Sequence, residues 1–298
     1  MATNIKLPYW QAANAGLVAA ARQLGVLAEM VGPDTYDPQA EREEFRRVLT
    51  KKPSGIMVSV ADPALLAPEI NAAIAQGIPV ITIDSDAPGS KRLLFVGTNN
   101  YQAGVMGAQV VARELKGKGS VVVYTINGQE NLKERLRGYQ AVFAEHPQIR
   151  VREIVDIRGD PRVAFDRTKE LVQSGKDLPD AFACLEAIAC AEVADVLDRN
   201  RITGKFIVAM DTQDATLEWI RKGMIAATVA QKPYTMAFYG VKVLDDLHHN
   251  RPASLDADWA RNIFAPFPMV VDTGVTLVDK SNVEEFIRAQ PASARKGS

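Results

Sequence analysis

The chain has 298 residues, 47% of them hydrophobic and 24% charged, with a formal net charge of −1. That is the profile of a globular protein large enough for two lobes. Balanced charge excludes bulk attraction to nucleic acid or an anionic membrane, and no apolar run approaches the ~20 residues needed to span a bilayer.

Met1 to Asn4 reads as the tail of a first strand. No basic region, apolar core and cleavage site precede it, so either a removed leader or a late start is expected. Pro8 opens a helix to about Leu24, proline being well placed in a first turn. Tyr9 and Trp10 stand at that helix start. Two large rings there can wall a cleft and stack on the apolar face of a sugar, although core packing explains them equally well. Leu27–Val31 is expected as a short strand. Asp37-Pro38 starts a helix to about Lys51, and Gly55–Val60 is a strand ending near Asp62. Pro63 begins the next helix. The strand Val80–Ile83 ends on Asp84, followed by Ser85 and Asp86. Strand-end carboxylates are often only caps or turn formers, but several on successive strands suggest a polar cleft.

Leu93–Val96 is a strand, followed by a helix from about Gln102 to Leu115 and the strand Ser120–Ile126. A polar loop, Asn127 to Asn131, leads to a helix that carries Arg135. A cation in a first helical turn is not placed there by the dipole, so a cleft role is plausible. Arg150–Ile157 is a strand, and Asp160-Pro161 starts a helix to Ser174. The strand Ala181–Leu185 is followed by Glu186 and a helix to about Asn200. Cys184 and Cys190 are read as small buried hydrophobic residues rather than a disulfide or metal site, because no cysteine or histidine cluster completes one. The three histidines read as surface residues.

The stretch at 205–231 organises the rest. Phe206–Met210 suits a buried parallel strand and stops on Asp211, at the carboxyl end where open α/β sheets bind ligands. Thr212, Gln213 and Asp214 can cap a helix with Leu217, Ile220 and Met224 at helical spacing, and Gly223 ends it. A second strand, Ile225–Ala230, stops on Gln231 just before Pro233. Tyr234–His249 is a long helix, Val270–Val278 a final strand region and Val283–Ala289 a last helix. The tail 291–298 is expected to be disordered.

Strands alternate with helices throughout, which implies parallel sheets covered on both faces. Roughly ten βα units exceed one comfortable sheet, so two doubly wound lobes are expected. No dinucleotide fingerprint, P-loop, HExxH or GxSxG is present.

Four segments carry a resemblance: LPYWQ, VITIDS, KERLRGY and AMDTQDATLEWIRKGMIAATVAQKP. Together they resemble the periplasmic sugar-binding proteins of ABC transporters, of the ribose-binding type, over nearly the whole chain. The resemblance implies an α/β fold of two doubly wound parallel-sheet lobes joined by a three-strand hinge. The lobes would be 1–99 plus 232–264 and 100–231 plus 265–290, with crossings near Asn99, near Gln231 and within 265–272. It further implies Tyr9 and Trp10 as a stacking sandwich, and Asp84, Arg135, Asp211 and Gln231 as polar anchors. Three departures stand out: Ser85 where the ribose receptors have Arg, Leu185 and Glu186 where they have Asn-Asp, and Leu7 where they have Asn. Glu186, Asn4 and Asp160 complete the candidate ligand contacts.

The expected function is non-enzymatic: capture of a monosaccharide or polyol by hinge closure, for delivery to an ABC transporter permease. No cofactor or metal is expected, the protein is expected to be monomeric, and the location is expected to be periplasmic or extracellular, membrane-associated through the transporter. Two other classes are weighed. One is a sugar sensor, either a lactose-repressor-type effector domain or a receptor feeding a sensor kinase. The other is a sugar- or nucleotide-metabolising enzyme using Asp84 and Asp86 for acid–base work.

Overall fold

A computed structural model describes residues 1–175 and 178–289; the tail 291–298 lies outside the described residues. The elements follow in chain order as α1 (Pro8–Leu24), α2 (Pro38–Thr50), β1 (Ile56–Val58), α3 (Pro63–Ala75), β2 (Val80–Ile83), β3 (Phe95–Gly97) and α4 (Asn100–Glu114). Then come β4 (Lys118–Thr125), α5 (Glu130–Ala144), β5 (Gln148–Asp156), α6 (Pro161–Gln173), β6 (Ala181–Cys184), α7 (Ala189–Arg199) and β7 (Phe206–Met210). The chain continues with α8 (Asp214–Lys222), β8 (Ala227–Ala230), α9 (Pro233–His249), β9 (Val270–Asp272), β10 (Thr276–Asp279) and α10 (Val283–Ala289).

Two sheets form. The first has the order β1-β2-β3-β9, all parallel. The second has the order β10-β8-β7-β6-β4-β5, parallel except for the β10–β8 pair. Strands such as VITI, AFAC and ATVA are buried along their whole length, because helices cover both faces of a parallel sheet. Each sheet organises its own large apolar core.

Three helices begin with the same local device. Asp37, Asp62 and Asp160 stand before a proline, and each carboxylate accepts a backbone N–H from the first turn: from Gln39 and Ala40, from Ala64 and from Arg162. The side chain satisfies an orphan amide while proline occupies a position that has no N–H to lose.

The chain passes between the lobes three times. After β3 it enters α4, which packs on α5, β7 and β8. After β8 it returns into α9, which packs on α1 and on β1–β3. The third passage corrects the expected position: Val270–Asp272 pairs with β3 in the first sheet and Thr276–Asp279 with β8 in the second. The crossing is therefore 273–275 rather than 265–272, and the strand region Val270–Val278 divides into two strands, one in each sheet. Gly274 takes the left-handed φ of 74° that this turn requires.

Two further expectations change. Leu27–Val31 forms no strand; Leu27 is fully exposed and the segment's tie to residue 2 is a single Ala2 N–H to Val31 carbonyl bond. Residues 1–3 are buried but likewise make only scattered bonds, among them Ser59 N–H to the Met1 carbonyl. Cys184 and Cys190 are joined in a disulfide, with Cα atoms 5.8 Å apart. The end of β6 and the first turn of α7 bring the two together over a five-residue loop, so no larger cysteine framework is needed.

Candidate functional site

The carboxyl ends of β2 and β7 face one cleft between the lobes. Both strands end on an aspartate with a left-handed backbone, φ 63° at Asp84 and 66° at Asp211. That conformation is costly for most residues and tolerated by Asp and Asn. It ends each strand abruptly and separates these two residues from the extended, helix-capping aspartates described above.

Asp84 accepts from the Tyr9 hydroxyl on Oδ1 at 2.8 Å and from the Ser59 hydroxyl on Oδ2 at 2.9 Å. Burial pushes its carboxyl above the usual range, with Arg135 opposing. Asp211 accepts from Gln231 Nε2 at 3.0 and 3.2 Å. Burial raises it to about 6, again against Arg135. Gln231 in turn accepts from the Thr98 hydroxyl at 2.9 Å. One amide thus ties the first interlobe crossing to the second and holds Asp211. The third is laced to the first: Asn99 N–H donates to Asp272 Oδ1 at 3.0 Å and Thr273 N–H to the Gly97 carbonyl at 2.7 Å.

Arg135 lies in the second turn of α5 rather than the first and is 2% exposed. Its Nε donates to Asn100 Oδ1 at 2.9 Å and Nη1 to the Leu185 carbonyl at 2.7 Å, while Nη2 has no partner. Glu186, after β6, accepts from Ile188 N–H at 2.6 Å and Ala189 N–H at 3.1 Å. It caps α7 from inside the cleft, and burial raises its carboxyl to about 7. The disulfide closes the loop that carries both the Leu185 carbonyl and Glu186.

Of the nine candidates, eight line this cleft: Asn4, Tyr9, Trp10, Asp84, Arg135, Glu186, Asp211 and Gln231. Asp160 does not. It caps α6 and pairs with Arg162 at 2.7 Å on the surface. The proline after it was the available signal. Tyr9 and Trp10 meet edge to face, centroids 5.3 Å apart and planes at 81°, so they do not form the two parallel walls of a sandwich. Trp10 is 3% exposed, mostly core.

Residues not singled out from sequence also line the cleft: Tyr36, Gln129 and Asn131. Gln129 and Asn131 belong to the polar loop before α5, but polarity alone did not separate them from solvent-facing loop residues. Tyr36 comes from the first lobe and reaches across. A Cβ on Gly159 of the second lobe would lie 2.5 Å from Tyr36 Cβ, so the lobes touch at this side of the cleft. Asp86 is occupied elsewhere, bound by Arg92 through Nε and Nη2 at 2.6 Å each. With that pairing it is no partner for Asp84 in acid–base chemistry.

Two lobes, three laced crossings and a cleft of buried hydrogen-bonding groups define a class: hinged receptors that close on a small polar solute. Comparison with known proteins gives the family. The chain belongs to the periplasmic binding protein domain family, which matches residues 1–251; this is a family of binding proteins, not enzymes. The ribose import binding protein RbsB of Bacillus subtilis (strain 168) is 24% identical over 259 residues, 84% of this chain and 80% of that protein. Among solved structures, a sugar-binding protein of a sugar ABC transporter from Bacillus halodurans is 34% identical, with a TM-score of 0.82 over 94% of this chain and 96% of that one. GanP, a glucose-galactose binding protein from Geobacillus stearothermophilus, is 27% identical, with a TM-score of 0.85 over 94% and 96% of the two chains.

Proposed function

We propose that this protein is the solute receptor of an ABC sugar importer, and that it captures a monosaccharide or polyol by closing two lobes on it. The observation that carries the reading is the convergence of Asp84 from one lobe with Arg135 and Asp211 from the other, all buried at one cleft. A sugar hydroxyl both donates and accepts, so a ring with several of them can bridge carboxylates and a guanidinium that do not pair directly. A ligand touching both lobes favours the closed arrangement by its extra contacts there. The closed receptor then presents both lobes to a transporter permease in the periplasm or at the outer cell surface. Among the described residues no helix is long and apolar enough to cross a membrane.

A thermal-shift screen against pentoses, hexoses, deoxy sugars and polyols tests this. A ligand that binds only the folded state at 100 times its Kd adds about 2.7 kcal/mol, a rise of several degrees. The expected result is one clear riser whose effect vanishes in Asp211→Ala. A flat screen on well-folded protein would overturn the sugar-receptor reading.

A further inference from the structure

The cleft carries a charge imbalance that a neutral sugar does not relieve. Among its lining residues only Asp84, Arg135, Glu186 and Asp211 are charged. All four are at most 7% exposed. Three anions thus face one cation, and no ion pair joins any two of them. The donors the carboxylates do have are neutral: the Tyr9 and Ser59 hydroxyls, the Gln231 amide, and two backbone N–H groups. Each carboxylate has acceptor capacity left over.

Buried carboxylates without compensation are costly, and a protein relieves the cost by protonation, a metal or a cationic partner. A metal does not fit, because among the described residues no group of three or more His, Cys, Asp or Glu could hold one. Protonation is partly in play: burial pushes Asp211 up to about 6 and Glu186 up to about 7, with Asp84 raising Asp211 further and Asp211 raising Glu186 further. The cleft thus sets three carboxyl groups against a single guanidinium.

We propose that the cleft selects a sugar bearing one protonated amine, an amino sugar, over the analogue with a hydroxyl at the same carbon. The ammonium brings three donors and a positive charge to Glu186 and Asp211, as charge-assisted hydrogen bonds. Arg135 adds the second requirement. Its Nη2 is buried with no partner, so the same ligand must also offer an oxygen acceptor. A polyamine lacks that oxygen, and a plain sugar lacks the cation. The inference rests on the sugar-receptor reading and narrows its ligand class.

Titration calorimetry at about pH 7.5, above both raised carboxyl values, tests it with glucosamine, galactosamine and mannosamine, each beside its parent hexose and its N-acetyl derivative. At least one amine is expected to bind roughly tenfold more tightly than its parent, with the advantage lost on N-acetylation. Glu186→Gln should shrink the ratio. Since Glu186 also caps α7, Asp211→Asn carries the same test if that variant does not fold. Parent hexoses that all bind as tightly as their amines overturn the inference, as does an advantage that survives N-acetylation or both substitutions. In those cases the receptor reading stands. If none of the nine compounds binds, the inference falls, and the broader screen decides the receptor reading separately.

Discussion

The two lobes meet the cleft with the same backbone device and secure it differently. Asp84 and Asp211 both end a parallel strand with a left-handed φ. Asp84 is held by hydroxyls of Tyr9 and Ser59, which belong to its own lobe. Asp211 is held by Gln231, whose other end takes the Thr98 hydroxyl where the chain crosses between lobes. The first acceptor is thus rigid with its lobe, whereas the second is wired to the hinge. Charge is asymmetric too: the second lobe supplies the guanidinium and two carboxylates, the first one carboxylate and the aromatic wall. Arg135 acts on Asp84 across the cleft, holding its carboxyl down against burial, so attraction between the lobes works with a bridging ligand.

The most damaging way to break this arrangement is Arg135→Ala. It removes the only cation among the cleft-lining residues together with its unpartnered Nη2 donor, so the charged hydrogen bonds it can make to ligand go with it, roughly 3 kcal/mol of binding. Calorimetry with the ligand found by screening should show affinity falling more than a hundredfold; a change below tenfold would mean that the guanidinium does not touch ligand. Next come Asp84→Asn and Asp211→Asn, which keep the left-handed backbone and remove only charge. Each should cost roughly 1.5–3 kcal/mol of binding. Double-mutant cycles with Gln231→Ala then sharpen the contrast. Coupling above about 0.5 kcal/mol is expected for Asp211→Asn and additivity for Asp84→Asn. Equal coupling in both cycles would remove the proposed asymmetry.

A pH series follows. Glu41, Glu186 and Asp211 are raised by burial to about 8, 7 and 6. A carboxyl whose folded value is raised binds its proton more tightly when folded, so stability falls as pH rises from the unfolded value through the folded one. The ligand-free protein should therefore melt higher near pH 5 than near pH 8, within a window of about three pH units. A melting temperature that rises with pH across this window would contradict the burial of these carboxyls. The smallest effect is expected at the far side of the cleft. A Cβ on Gly128 would stand 3.2 Å from the Ala61 carbonyl and 3.3 Å from the Tyr36 hydroxyl of the other lobe. Gly128→Ala should weaken binding only a few-fold, roughly 0.5–1 kcal/mol, and leave ligand-free melting unchanged. An equal loss of stability would show that the contact is not specific to closure.

What could be read from the residues in order was whatever their near neighbours decide. Pro8–Leu24 and Val283–Ala289 match their expected bounds, because caps, prolines and apolar period act within a few residues. The alternation of strands and helices carried the α/β class. The strand-end residues Asp84, Asp211 and Gln231 stood out as cleft candidates for the same local reason. Tertiary structure decided which aspartates face the cleft and which cap a helix, the left-handed turn at Asp84 and Asp211 being set by the strand each one ends. It decided that Val270–Asp272 belongs to one sheet and Thr276–Asp279 to the other, since ladder partners lie far away in sequence. It also joined Cys184 to Cys190, turned Tyr9 edge-on to Trp10, and carried Tyr36 across to Gly159. These outcomes depend on where whole elements pack against one another, and spacing along one chain does not contain that information.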